Sequence, residues 1–297
     1  MNLRQSKIKF VPKGDLMFKK IFGPLFIRIL RPFIYKGLLH RYRIVKALSD
    51  FLLPRIVPDF VDVQGHKMYI DSRDSLRLSF IKDYENIETE TFKKNIKKGD
   101  VVLDLGANIG YYTLIGAKIV RNEGKVFAFE PSPGNFKILK KNIEANGYKN
   151  VVAVQKAVSD KNGKIKLFLD RYSDASNSIY DVHDGKESVI VDSITLDDFL
   201  KNSGRIDFIK MDIEGAEGKA LAGMSEILKR NKNLKIITEF NPVLLKGAGT
   251  DPKKYVELLQ KNGFKIYDTK DNLKPVSPEK LIRRYDGNKL TNLLCTR

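Results

Sequence analysis

The sequence predicts an α/β fold: a doubly wound, mostly parallel seven-stranded sheet behind a basic, helical N-terminal extension. Three observations carry this. From residue 101 onward, short β-branched runs alternate with amphipathic runs, the pattern of strands joined by crossover helices. Glycines cluster directly after the first run, VVLDLGANIG (101–110). Acidic side chains close several later runs, at the carboxyl edge where such sheets gather their ligands.

The start of the chain is set apart by charge. Residues 1–55 hold thirteen Lys and Arg against Asp15 and Asp50, so +11 of the +18 net charge lies there. Residues 16–53 are also apolar, but Arg28, Arg31 and Lys36 interrupt every stretch long enough to span a bilayer. A secretory signal fits poorly, because the apolar run is short and no small-residue cleavage site follows it. Pro24 and Pro32 divide the segment into short helices. From Phe33 to Leu53, Ile34, Leu38, Val45, Leu48 and Leu52 share one helical face; Lys36, His40 and Arg43 lie opposite, with Arg41 the exception. Residues 1–57 therefore read as a basic amphipathic extension that either packs on its own domain or lies on an anionic membrane surface. A nucleic-acid partner has less support, since no glycine–aromatic RNA-binding strand or zinc pattern accompanies the charge. The lone cysteine, Cys295, excludes an intrachain disulfide and a cysteine-rich metal site. It fits a reducing compartment, so the expected location is cytoplasmic, peripheral to the inner face of the membrane. Nothing in the sequence sets an oligomeric state.

Residues 58–100 form a small β and helical lead-in, with strands on either side of Gln64–Gly65 and a helix over 86–97. The main domain, 101–297, then alternates. Strands are predicted at 101–105, 125–130, 151–156, 205–211, 234–239, 264–268 and 288–296, and helices at 110–121, 133–146, 195–202, 216–230 and 251–262. An insertion at 159–194 interrupts the rhythm: DKNGKIKLFLD enters a strand through a hairpin turn, SVIVDSI forms another, and polar residues lie between. Such an insertion covers the mouth of a site or builds its substrate pocket.

The glycine run reads D-x-G-x-N-x-G, from Asp104 through Gly106, Asn108 and Gly110, and not the G-x-G-x-x-G of dinucleotide folds. Backbone at Gly106 and Gly110 can lie directly against a ligand. A carboxylate just before the glycines repels pyrophosphate and suits an ammonium or sulfonium, both of which S-adenosylmethionine carries. Glu130 ends the next strand, KVFAFE, where an acidic residue accepts hydrogen bonds from ribose hydroxyls. Ser132 and Pro133 then start a helix whose Phe136, Leu139 and Ile143 share a face, and Gly147 closes it. A second acidic constellation lies in RIDFIKMDIEGAE (205–217). A helix start accounts for Glu217, but leaves Asp212 and Glu214 at the carboxyl edge. Glu239 and Asn241 end the following strand. Asp212, Glu214 and Glu239 carry oxygen ligands of the kind magnesium takes, although no metal is expected.

These segments together, with AVSD (157–160), TLDDF (195–199) and the ending KLTNLLCTR, resemble the FkbM family of methyltransferases over about residues 80–297. The resemblance implies a Rossmann-like class I methyltransferase fold and S-adenosylmethionine as cofactor. It implies that Asp104, Gly106 and Asn108 line the methionine part of the cofactor, and that Glu130 holds the ribose beside Pro131, Ser132 and Phe136. Ala157 and Val158 would flank the adenine, and Asp212 would sit near the transferring methyl group. Tyr84–Glu85 matches a Tyr-Glu pair that often precedes the first strand in the family, which makes Glu85 a cofactor candidate, although Asn86 stands where Pro is usual. The implied reaction is O-methylation of a hydroxyl on a glycan, lipid-linked sugar or natural product. A hydroxyl needs a base within reach; the candidates, in order, are Asp212, Glu214, Glu239 and His183. The alternatives are a tRNA methyltransferase and a non-catalytic membrane-associated scaffold.

Overall fold

The computed structural model describes residues 57–81, 84–169, 177–180, 187–287 and 289–297; His183 and all of the extension except Val57 lie outside the described residues. A hairpin of β1 (Phe60–Val63) and β2 (His66–Tyr69) precedes α1 (Asn86–Asn95). The main sheet begins with β3 (Val101–Leu105), α2 (Tyr111–Val120), β4 (Lys125–Phe129), α3 (Pro133–Ala145) and β5 (Val151–Val154). β6 (Ala157–Val158) leads into the insertion, which contributes β7 (Gly163–Phe168) and β8 (Ser188–Ile194), followed by α4 (Leu196–Phe199). The chain then runs through β9 (Phe208–Met211), α5 (Glu217–Ala222), α6 (Ser225–Arg230) and β10 (Lys235–Phe240). Next come α7 (Pro242–Gly247), α8 (Pro252–Lys261) and β11 (Lys265–Asp268). The last elements are β12 (Lys274–Pro275), α9 (Pro278–Arg284) and β13 (Thr291–Thr296).

The main sheet has the order β12-β11-β13-β10-β9-β3-β4-β5. All seven predicted strands belong to it, and the two-residue β12 adds an edge by pairing with β11. Strands β5, β4, β3, β9 and β10, neighbours in that order, run parallel, and β13 inserts antiparallel between β10 and β11. The fold is thus α/β, doubly wound and Rossmann-like. Chain direction across the sheet reverses at β3, whose neighbours are β4 and β9, so the ligand crevice of this topology opens above the carboxyl ends of β3 and β9.

Period-two alternation divides the core between two faces. Val102, Phe208, Ile237 and Leu294 pack with Phe92 of α1, Leu114 of α2 and Leu139 of α3. Leu103, Ile209, Ile236 and Leu293 pack on the opposite face with Leu221, Ile227, Val256 and Leu281. The insertion's two strands join β6 in a separate sheet of order β6-β8-β7 over a small cluster of Ala157, Leu167 and Val191.

Three expectations shift for local reasons. The helix predicted over 216–230 is split into α5 and α6, because the backbone at Gly223 lies against the Ser159 carbonyl. Asp197 from α4 then accepts the N–H groups of Glu226 (3.0 Å) and Ile227 (2.9 Å), giving α6 a separate start. The helix predicted over 195–202 shortens to four residues. Helices α7 and α9 escaped the sequence reading, although each opens with proline after a capping Asn241 or Ser277, a usable start signal.

The lead-in is fixed to the domain by Asn142, which is fully buried. Its Oδ1 accepts from the Tyr69 N–H (2.6 Å), and its Nδ2 donates to the carbonyls of Tyr69 (3.0 Å) and Ile109 (2.7 Å). Asn142→Ala strands those buried groups and should lower stability by about 2–3 kcal/mol. Urea unfolding checks this; an unchanged midpoint contradicts it.

Candidate functional site

The site is built on a close backbone approach. The Asp212 N–H donates to the Leu105 carbonyl at 3.0 Å, joining the ends of β3 and β9. Gly106 follows at φ 80°, and a Cβ there would fall onto the Asp212 carbonyl oxygen. The N–H groups of Gly106 and Ala107 donate to the Phe129 carbonyl at 3.0 and 2.9 Å, which ties the same turn to β4. Glycine is therefore required both by φ and by space. Gly110 is the N-cap of α2 in left-handed conformation.

Glu130 is 5 % exposed at the end of β4. Its Oε2 accepts from the Asn108 N–H and its Oε1 from the Ser132 N–H, each at 2.8 Å. Those bonds, with a further one from the Asn135 side chain, fix the carboxylate. Burial pushes its carboxyl up to about 7 against the effect of those donors. Asp104, 2 % exposed, accepts from Thr113 Oγ1 at 2.5 Å, and burial raises it to about 6. Beside Glu130 lies a cavity of about 50 Å³, walled by Asn135, Ala157, Val158, Leu167 and Ile179. The insertion thus lines the same cleft as the ends of β4 and β6, and Ser178 Oγ donates to the Glu214 carbonyl at 3.2 Å.

A second cavity, about 190 Å³, adjoins the first through Gly106, Asn108, Asp212 and Glu214. Its walls include Glu85, Asp104, Lys210, Glu239 and Asn292. Lys210 is 1 % exposed, donates to Asp212 Oδ2 at 2.9 Å, and lies 4.9 Å from the Tyr112 ring centroid. Burial alone would lower its ammonium, but Asp212, Glu85 and Asp104 hold it well above the usual lysine value. Glu85 accepts from the Tyr112 hydroxyl at 2.6 Å, and burial raises its carboxyl. Glu239 is raised well above its ordinary value by burial and then by Asp212, Glu214 and Glu217. Its Oε2 has no hydrogen-bond partner among the described residues.

Most of the residues singled out from sequence converge here. Glu85, Asp104, Gly106, Asn108, Glu130, Pro131, Ala157, Val158, Asp212, Glu214 and Glu239 all line one cavity or both. Gly110, Ser132 and Phe136 line neither: Gly110 and Ser132 sit at helix starts, and Phe136 packs against the core. Asn135 is the α3 side chain that reaches the cleft. Glu217 serves the loop backbone, accepting from the Ile213 (3.0 Å) and Gly215 (3.3 Å) N–H groups. Among the described residues, no group of three His, Cys, Asp or Glu is arranged to hold a metal. Sequence reasoning missed Lys210 and Asn292. A lone lysine inside the apolar strand FIKM was the available signal, because a buried lysine requires a partner.

Residues 104–266 match the methyltransferase FkbM domain. The chain is 27 % identical over 146 residues to Methyltransferase 1 of Beauveria bassiana, covering 42 % of this chain and 58 % of that one. It is 29 % identical over 164 residues to Methyltransferase sdnD of Sordaria araneosa, covering 44 % and 63 %. The chain therefore spans less than two thirds of the length of these curated relatives. Among solved structures, a precorrin-6y C5,15-methyltransferase from Geobacter metallireducens aligns over 80 % of this chain and 97 % of its own, at TM-score 0.45 and 13 % identity. The domain match covers more than half of the sequence, and the chain belongs to the FkbM methyltransferase family.

Proposed function

We propose that the protein transfers a methyl group from S-adenosylmethionine to a hydroxyl of a small-molecule, glycan or lipid-linked-sugar acceptor. One observation carries the reading: Asp104 and Glu130, both buried, flank a glycine turn in a cleft that continues to Asp212. The cofactor supplies an electrophilic methyl group on a sulfonium. The chain supplies a fitting cradle. Glu130 lies at the strand end where it can accept from ribose hydroxyls, and Ala157, Val158 and Leu167 offer apolar walls for adenine. Asp104 and Glu85 suit the ammonium, and the acidic second cavity favours positive charge.

Methyl transfer from a sulfonium depends chiefly on alignment, and a hydroxyl acceptor must also lose a proton. Asp212 Oδ2 is engaged by Lys210, which makes Asp212 a positioning group. Glu239 is the stronger candidate base: its Oε2 is unpartnered among the described residues, and its raised pKa brings its proton affinity nearer to that of a working base. The extension, with +11 over residues 1–55 and an amphipathic pattern, suits a peripheral contact with an anionic membrane at its cytoplasmic face. Among the described residues, no helix is long and apolar enough to cross a membrane.

Calorimetric titration with S-adenosylhomocysteine should give saturable one-to-one binding; no heat at millimolar ligand contradicts the reading. Ligand hydroxyls and ammonium bind the ionised carboxylates, so affinity should rise with pH through about 6 for Asp104 and about 7 for Glu130. The free fold responds oppositely. Carboxyls raised by burial stabilise it most below their unfolded pKa, and that contribution is lost as pH climbs through about 7. Glu130→Gln should weaken binding about ten- to hundredfold and remove the step near 7 while keeping the one near 6. An unaltered pH profile contradicts the role of Glu130. Gly106→Ala should separate Asp212 from the end of β3 and cut methyl transfer at least about a hundredfold; wild-type turnover would show that the close approach is dispensable.

A further inference from the structure

Glu239 and Asn292 are direct register partners across β10 and β13. Paired residues of an antiparallel ladder project on the same face, about 5 Å apart at Cβ. Deeper on that face the strands are apolar, with Ile237 paired to Leu294. The polar pair occurs at the lip, where both side chains line the second cavity beside Asp212. Both are more than nine-tenths buried, at 8 % and 5 % exposure. Glu239 Oε2 and Asn292 Oδ1 both lack a hydrogen-bond partner among the described residues. A buried acceptor without a donor is destabilising, so two on one wall call for a ligand that brings donors. Thr269 Oγ1 donates to the Asn292 carbonyl at 2.9 Å and holds the main chain that presents this side chain.

The walls also indicate what kind of donor fits. Glu85, Asp104, Asp212, Glu214 and Glu239 set five carboxylates against the single ammonium of Lys210, which Asp212 already engages. A phosphate beside Glu239 and Asn292 meets the like charge of Glu239, Asp212 and Glu214, whereas neutral hydroxyls meet acceptors.

We propose that Asn292 is a specificity-determining residue whose Oδ1 accepts a hydrogen bond from a second hydroxyl next to the one that is methylated, so that the acceptor is an uncharged polyol with adjacent free hydroxyls. This rests on the methyltransferase reading, in which Glu239 takes the proton of the first hydroxyl. Sites that hydrogen-bond a hydroxyl discriminate strongly against analogues lacking it, because the site's own polar group is then left unpaired.

The test uses 1,2-cyclohexanediol, cyclohexanol, myo-inositol and inositol 1-phosphate as probes, with saturation-transfer NMR on full-length protein saturated with S-adenosylhomocysteine. The diol should bind about tenfold or more tightly than cyclohexanol, and myo-inositol more tightly than its phosphate. Asn292→Leu should abolish the diol preference while S-adenosylhomocysteine still binds, and Asn292→Asp, which keeps an acceptor, should retain it. Equal binding of diol and cyclohexanol, absence of probe binding, or a preference that survives in Asn292→Leu overturns the proposal. Failure of S-adenosylhomocysteine to bind wild-type protein is a separate result that removes the methyltransferase reading itself.

Discussion

The carboxyl end of β3 and the carboxyl end of β9 meet through the backbone at Gly106 and Asp212, and the rest of the site depends on that contact. With no Cβ at Gly106, the Asp212 carbonyl can occupy the space a side chain would fill. The Asp212 N–H meanwhile continues the ladder to Leu105. The two acidic loops are thereby held on either side of the switch point. Glu130 is brought to the same turn by its bond from the Asn108 N–H. Both cavities share the residues at this junction, so a ligand in one is adjacent to a ligand in the other.

Electrostatics give the junction its chemical bias. Buried carboxylates in a low-dielectric site repel one another and take up protons unless a cation arrives. Lys210 answers part of that demand from inside the sheet, where Asp212, Glu85 and Asp104 keep it charged. The remaining excess of negative charge is a cost to the free protein that a sulfonium and an ammonium would relieve. Asp104, Glu130 and Glu239 all have raised pKa values, from burial first and from neighbouring carboxylates after it.

Much of this was legible in the sequence because the signals are local. Asp104, Gly106 and Asn108 lie within five residues of one strand end, and Glu130 closes the next strand. Strand runs and glycine turns therefore located them without knowledge of the sheet. The second cavity was only half legible. Glu239 stood out as a strand-end carboxylate, but its partner Asn292 comes from β13, which enters antiparallel between β10 and β11. No local pattern announces that pairing. Lys210 looked like an interruption of an apolar strand, and its partners Glu85 and Asp104 come from other elements. The break between α5 and α6 likewise depends on Asp197, a residue of another helix.

The central claim is that the glycine junction cradles S-adenosylmethionine with its ribose on Glu130 and its methionine end toward Asp104. A crystal structure of the protein soaked with S-adenosylhomocysteine tests it most directly. The account predicts both ribose hydroxyls within hydrogen-bond distance of the Glu130 carboxylate, adenine between Ala157, Val158 and Leu167, and the ammonium in the cavity that Asp104 and Glu85 line. Density for the ligand away from Glu130, or in the reverse orientation along the cleft, would contradict it.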